Sequence, residues 1–326
     1  MTTALPAPVA ATVGLALTDS ERDEVRRLAG LLAAQPPRLI DERAWTDTAR
    51  RLSNRLPLRI REEIRQYRHD PGAGGLLILR NLPVEADDLP DTPTVPESVE
   101  RTATVPAAVI SLISLSLGEV VAYRAEKSGA LVQNVVPIPG REDSQSNAGS
   151  TLLELHVENA FHPHRPDYVG LFCLRNDHTN TAGTFVSSIR RALALLPEEV
   201  REVLAAPRFA TEPPPSFRSG ETPRHPVLEG DTQDPNVRVD FHATHPLDDE
   251  AEQALQSLRA AFLDVAAMLV LQPGELAFVD NRVAVHGRTS FRPHYDGQDR
   301  WLHRTFVHLD HRRTTGHRAG GGSVLV

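Results

Sequence analysis

From Leu131 onward the chain is cut into apolar runs too short for ordinary helices: LVQNVVPI, TLLELHV, DYVGLFCL, VRVDF, ELAFVD and HRTFVHL, each closed by turn residues. That is the pattern of antiparallel sheet. The earlier part reads differently. Thr18-Asp19-Ser20-Glu21 has the form of a helix N-cap and predicts a helix over 18–34, with further helices over 41–56 and 57–69. GGLLILRNLPV then reads as a strand leaving a glycine-rich turn, 85–97 as a surface loop, and 104–117 as another helix. The expectation is an α+β chain with a mainly β core, one domain over 1–326, a mainly helical front over about 1–118 and the core over about 119–326. Prolines in APRFATEPPPSFRSGETPRHPVLEGD forbid regular structure over much of 206–231, so 206–245 is expected to be a lid loop. One more helix is expected over 248–271, and the Pro/Ala-rich start is expected to fray.

At 326 residues with 40% hydrophobic content, the chain can bury a substantial core. Its net charge of −8, with both signs interspersed, argues against a nucleic-acid partner. The single cysteine, Cys173 in VGLFCLR, excludes an intramolecular disulfide and a cysteine-cluster metal site, and it is expected to pack in a strand. No apolar run approaches about 18 residues and the start lacks a basic region, so neither export nor a membrane span is expected, and the cytoplasm fits best. Self-association stays open.

The chemistry sits in LELHVENAFHPHRPDY and FVDNRVAVHGRTSFRPHYDGQDRWLHRTF. His156 and Glu158 are two positions apart, so in a strand both side chains point the same way and can grip one metal. His286, about 130 residues later, supplies a third ligand. Two imidazoles and one carboxylate form the facial set of non-haem Fe(II), which leaves coordination positions open. A His-x-Glu pair alone is common; the Val-Asp-Asn-Arg-x-x-x-His turn, with Arg300 fourteen residues after His286, gives the composite its weight. Arg300 is a two-pronged donor for a carboxylate such as the distal end of a keto acid. A zinc hydrolase is less apt, because no His-Glu-x-x-His helix is present. His162, His164, His294, His303 and His308 are expected at the surface or supporting the site, and Trp301 and Phe306 in the core.

Beyond these residues, EKSGALVQNVVPIPG, SNAGSTLLELHVENAFHPHRPDYVGLFCLR and ELAFVDNRVAVHGRTSFRPHYDGQDRWLHRTFV resemble the clavaminate synthase-like Fe(II)/2-oxoglutarate-dependent oxygenases. Within that family the likeness is to amino acid β-hydroxylases of asparagine and arginine type. The resemblance implies a distorted double-stranded β-helix (jelly roll) with flanking helices, Fe(II) on His156, Glu158 and His286, 2-oxoglutarate paired to Arg300, and O2 as co-reactant. It also implies that Glu126 and Asn147 hold the α-amino and α-carboxylate groups of an amino acid. Arg304 is the matching cation, four residues after Arg300 and so on the same strand face, and Asp240 reads the substrate side chain. The implied reaction is hydroxylation of a free L-amino acid, asparagine-like or basic, at Cβ, with release of succinate and CO2, in the service of a peptide natural product.

Glu158 disfavours halogenation, which needs a small residue there. Val157 and Phe241-His242 depart from the pattern expected of an asparagine enzyme, and neither Thr181 nor Thr184 is a clean counterpart of the 2-oxoglutarate-binding threonine of some relatives. The same ligands would also serve desaturation or a carrier-tethered amino acid. A non-catalytic β-helix protein binding a metal or metabolite is the rival from another class.

Overall fold

The structure is a computed structural model that describes residues 14–217 and 222–326. In its central strands, alternate side chains enter different apolar clusters. Leu77 and Leu79 of Leu76–Arg80, with Phe172 and Leu174 of Tyr168–Arg175, join one; Leu76, Ile78, Leu171 and Cys173 join another. A strand buried on both faces needs apolar residues throughout, which is why these runs show no polar alternation.

The larger sheet is mixed. Its order is Gly14–Ala16, Leu76–Arg80, Leu276–Asp280, Tyr168–Arg175, Trp301–His308, Glu119–Tyr123 and Val324–Leu325. Val132–Val135 also pairs with Trp301–His308 and carries Val99–Glu100. The two outermost pairings of that order are parallel and the others antiparallel. A smaller antiparallel sheet runs Ala267–Leu269, Thr184–Ser188, Ala284–Arg288 and Leu153–His156. Its inner residues Val186, Ala284 and Leu269 pack with the larger sheet, and its outer residues Leu155, Phe185 and Val285 share a cluster with Leu258 and Phe262 of the Asp249–Val265 helix.

Helices Asp19–Ala33, Arg43–Ser53, Leu58–His69 and Val105–Leu117 cover the other face of the larger sheet. Thr18 makes a capping box with Glu21, and the Thr104 side chain accepts from Ala107 N, so both helices start where cap chemistry dictates. Val105–Leu117 is apolar nearly all round, as a central helix must be, and its buried Ser114 hydroxyl meets Thr305 of the sheet at 2.9 Å.

Several expectations need correction. The helix expected over 248–271 stops at Val265, because Ala267–Leu269 leaves it to pair with Thr184–Ser188. Of VRVDF, only Val237, in the Asn236–Val237 strand, and Asp240, by one bridge to His156, pair. Short strands Phe209–Thr211, Arg224–His225 and Leu228–Glu229 form inside the proline-rich segment. Gly14–Ala16 is a paired strand and not a frayed end, while the rest of the expected fraying, at 1–13, lies outside the described residues. His303 and His308, expected at the surface or in support, are buried at 1% and 0% exposure within the larger sheet. Cys173, Trp301 and Phe306 are buried as expected. Among the described residues, no helix is long and apolar enough to cross a membrane.

Candidate metal centre

His156 ends the Leu153–His156 strand and His286 sits midway along Ala284–Arg288, and the two are direct antiparallel partners. Opposed residues of such a pair share one face with Cβ atoms about 5 Å apart, and these two imidazole centroids are 4.4 Å apart. Gly287 permits the approach, since a Cβ there would stand 2.6 Å from the Leu153 carbonyl oxygen.

Glu158 does not reach the site by strand alternation. The strand stops at His156, and Glu158 lies in the turn beyond it. The fully buried side chain of Asn281 replaces the missing ladder: its Oδ1 accepts from Glu158 N at 2.7 Å, and its Nδ2 donates to Glu158 O at 3.1 Å and Pro166 O at 2.9 Å. No role for Asn281 was expected, although the Asp-Asn-Arg turn that contains it was the available signal.

The donor atoms of His156, Glu158 and His286 all lie within 4.8 Å of one another. Burial, reinforced by His156, disfavours a proton on His286 and lowers its pKa, which leaves the imidazole neutral. His156 Nδ1 is 2.8 Å from the Glu154 carbonyl oxygen; a carbonyl only accepts, so Nδ1 carries a hydrogen and Nε2 is the ring atom available to a metal. Burial also opposes the charge on Glu158, but Arg304, His286 and His156 outweigh it and draw the carboxyl down to about 2. His286 Nδ1 is buried without a partner among the described residues, so only the Glu158 side, 3.5 Å from Nε2, meets the polar demand of this ring. Two imidazoles and an ionised carboxylate converging in a buried pocket fit divalent iron. A second group, His178, His294 and Asp296, is exposed and outside this cavity.

Arg304 joins the Glu158 carboxylate to the rest of the site. Its Nη1 donates to Glu158 Oε1 at 2.8 Å, its Nη2 to Glu126, and its Nε to Gln133 Oε1 at 3.1 Å. Burial raises the Glu126 carboxyl above the usual range despite Arg304, and Asn159 Nδ2 reaches its other oxygen at 3.3 Å. Gln133, directly opposite Arg304 in the sheet, is a contact the sequence reading missed.

These groups line a cavity of about 800 Å³, within the roughly 300–1,000 Å³ usual for small-ligand sites. Arg300, Leu302 and Arg304 all face it, as even spacing requires. Arg300 precedes the Trp301–His308 strand and is 4% exposed; burial opposes its charge. Asn147 and Asp240 line the cavity too, and one Asp240 oxygen is taken by His242 N at 2.9 Å and Ala243 N at 3.2 Å. Of the two threonines left unassigned, Thr184 faces the cavity, whereas Thr181 N is tied to Asp177 at 2.8 Å. Pro213, Pro214, Pro215 and Phe217 form part of the wall, with Phe217 edge-on to Phe161 at 4.9 Å between centroids.

Residues 58–306 match the family described as taurine catabolism dioxygenase TauD, TfdA family. The chain is 49% identical over 311 residues to L-asparagine oxygenase of Streptomyces coelicolor, covering 95% of this chain and 93% of that protein. It superposes with a TM-score of 0.94 and 47% identity on a crystal structure of asparagine oxygenase in complex with Fe(II), 2S,3S-3-hydroxyasparagine and succinate, covering 96% of this chain and 99% of that one. A structure of the non-heme iron oxygenase OrfP in complex with Fe and alpha-ketoglutaric acid aligns with a TM-score of 0.88 and 31% identity, over 96% of this chain and all of that one.

Proposed function

The chain belongs to the TauD, TfdA family of dioxygenases, and on that premise we propose that it is an Fe(II)- and 2-oxoglutarate-dependent oxygenase that hydroxylates free L-asparagine at Cβ, releasing succinate and CO2. The observation that carries this reading is the buried convergence of His156, Glu158 and His286 in a cavity that also presents Arg300. Iron held there supplies activation of O2 coupled to oxidative decarboxylation of the keto acid.

The chain's own residues bind and orient. Arg300 takes the distal carboxylate of 2-oxoglutarate. Glu126 accepts from the substrate α-ammonium and Asn147 assists at the same end. Arg304 has five N–H donors; Nε and Nη2 both donate to Gln133, Nη2 also to Glu126 and Nη1 to Glu158, which leaves one Nη1 hydrogen for the α-carboxylate. Asp240 has one oxygen committed to its own turn, so a single oxygen faces the cavity. That suits a side-chain amide better than a guanidinium, which prefers a two-oxygen fork. Identity of 49% to the asparagine enzyme, against 32% to an L-lysine 3-hydroxylase and to an L-ornithine/L-arginine 3-hydroxylase, points the same way. Substrate held with Cβ nearest the iron is what makes one carbon react.

We read the two facing sheets as the distorted double-stranded β-helix, 1–118 as its helical front in one domain with 119–326, and 206–245 as a lid over the cavity, with 1–13 and 218–221 of these ranges lying outside the described residues. Free metabolites as substrates suit a cytoplasmic enzyme.

Aerobic incubation with Fe(II), ascorbate, 2-oxoglutarate and each free L-amino acid tests the reading, with succinate and a mass gain of one oxygen atom as readouts. Gain on asparagine alone, lost in Asp240→Asn with a shift toward aspartate, is the expected result. Gain on a basic amino acid would overturn the side-chain assignment, and no gain on any would point to a tethered substrate or a non-catalytic protein.

A further inference from the structure

One arginine was expected at the keto-acid end of the cavity, and two are there. Arg288 follows His286 by two residues in the Ala284–Arg288 strand, so alternation sends its side chain to the same face as the imidazole. It lines the cavity and is 4% exposed, as Arg300 is. The guanidinium is poorly satisfied by protein. Nη2 donates to the Thr151 carbonyl oxygen at 3.1 Å, and Nε is buried with no partner among the described residues. The charged neighbour that acts on Arg288 is Arg300, another cation. Arg300 in turn feels the carboxylate of Asp177, whose oxygens are already taken by the backbone N–H groups of Thr179, Thr181 and Ala182.

Both guanidinium groups lie against the Phe291 ring, with their central carbons 5.5 Å and 5.9 Å from its centroid. Thr184, the direct register partner of Arg288, adds a hydroxyl to the same wall. Two buried like charges whose neighbouring carboxylate, Asp177, is already taken up by its own loop are costly, and a ligand carboxylate would offset that cost. A carboxylate has two oxygens and about four lone-pair sites, enough for two guanidinium groups and a hydroxyl.

We propose that Arg288 is a second cation of the 2-oxoglutarate subsite, sharing the distal carboxylate with Arg300. The inference rests on the reading of 2-oxoglutarate as cosubstrate given above. It makes the site selective for keto acids that end in a carboxylate, and it assigns to the Arg288 strand a ligand contact besides the metal ligand His286.

The test is anaerobic equilibrium binding of 2-oxoglutarate to the Fe(II)-loaded wild type, Arg288→Gln, Arg288→Lys and Arg300→Gln, followed by calorimetry and by the visible absorption of the keto-acid complex. Each protein is also titrated with 2-oxobutyrate, which lacks the distal carboxylate. Arg288→Gln should weaken 2-oxoglutarate at least about tenfold and leave the weak binding of 2-oxobutyrate unchanged. Arg288→Lys should recover part of the loss. Wild-type affinity in Arg288→Gln, or equal losses for both keto acids, would overturn the proposal by reducing Arg288 to a structural partner of Phe291. Should Arg288→Gln fail to fold, unchanged affinity in Arg288→Lys would overturn it equally, because a point charge does not reproduce the planar fork. Absence of 2-oxoglutarate binding by the wild type would instead sink the cosubstrate reading, and this inference with it.

Discussion

Asn281→Leu isolates what holds Glu158 in place. The substitution puts an apolar side chain of similar branching at a site with 0% exposure and removes three hydrogen bonds, two to the Glu158 backbone and one to Pro166 O. At about 0.5–1.5 kcal/mol net per bond, with buried groups left unpaired, the expected loss of stability is about 2–4 kcal/mol. The larger effect falls on the metal. With the Glu158 backbone released, the carboxylate loses its fixed position beside His286, and affinity should drop about 10- to 100-fold, as for other partners that orient a ligand. Asn281→Asp is the sharper variant, because it keeps the acceptor toward Glu158 N and sets a carboxylate oxygen against two carbonyl oxygens. Urea denaturation of metal-free protein gives the stability, and calorimetric titration with Mn(II), a redox-quiet stand-in for Fe(II), gives the affinity. Trp45→Phe, which loses the Trp45 Nε1 bond to Leu32 O at 2.9 Å in the helical layer, controls for stability loss remote from the site. If Asn281→Leu binds metal within about twofold of wild type while losing stability like the Trp45 variant, the clamp does not set the ligand geometry and the argument fails.

Other outcomes follow from the same geometry. His156→Ala and Glu158→Ala should each abolish turnover while circular dichroism stays native; turnover by either variant would remove that residue from the ligand set. Gly287→Ala would push a Cβ to 2.6 Å from Leu153 O, so about 1–3 kcal/mol of stability and part of the metal affinity should go together in denaturation and titration experiments. Cys173 is fully buried and its thiol is pushed up to about 12; it should resist thiol reagents until the protein unfolds, and Cys173→Ser should retain activity. His225, buried with Nε2 at 2.8 Å from Thr211 Oγ1, is held near 4 mainly by burial. The unfolded chain therefore takes up this proton first, so its stabilising contribution is complete above about pH 6.5 and is lost as pH falls toward 4. The contribution is on the order of 1–2 kcal/mol after allowance for solvent near the ring, and denaturation of wild type and His225→Gln across that window should show the difference.

Helix starts were legible because their signals are local. Thr18 with Glu21, and Thr104, carry the cap within a few residues, and Leu76–Arg80 and Tyr168–Arg175 announce themselves as unbroken apolar runs. What escaped depends on distant partners. Thr184–Ser188 holds three hydroxyl residues in five and looks exposed, yet every residue is buried, with Ser187 bonded to Phe262 O from the helix packed behind it. AAMLVL fits a helix and a strand equally well, and only the pairing with Thr184–Ser188 decides for the strand. At the site, spacing identified the residues that converge but not the means. His156 and Glu158 share a direction through an amide supplied by Asn281 from more than a hundred residues away, a connection that two-residue alternation does not encode. Arg288 stands outside the family pattern that marks Arg300, although its even spacing from His286 is legible in the sequence.

The pairing of His156 with His286 also fixes a calendar for the nascent chain. The Leu153–His156 strand is synthesised about 130 residues before its ladder partner Ala284–Arg288, and Asn281 arrives with that partner. At about 5–20 residues per second, the wait is on the order of ten seconds. Throughout it, His156 lacks its ladder partner and Glu158 lacks the Asn281 amide that fixes its backbone. On the proposed ligand set, metal capture begins only after the smaller sheet closes, which keeps half-made chains from scavenging iron. On that proposed set it also makes occupancy a report on completeness, since a product truncated before Asn281 has neither the third ligand His286 nor the amide clamp.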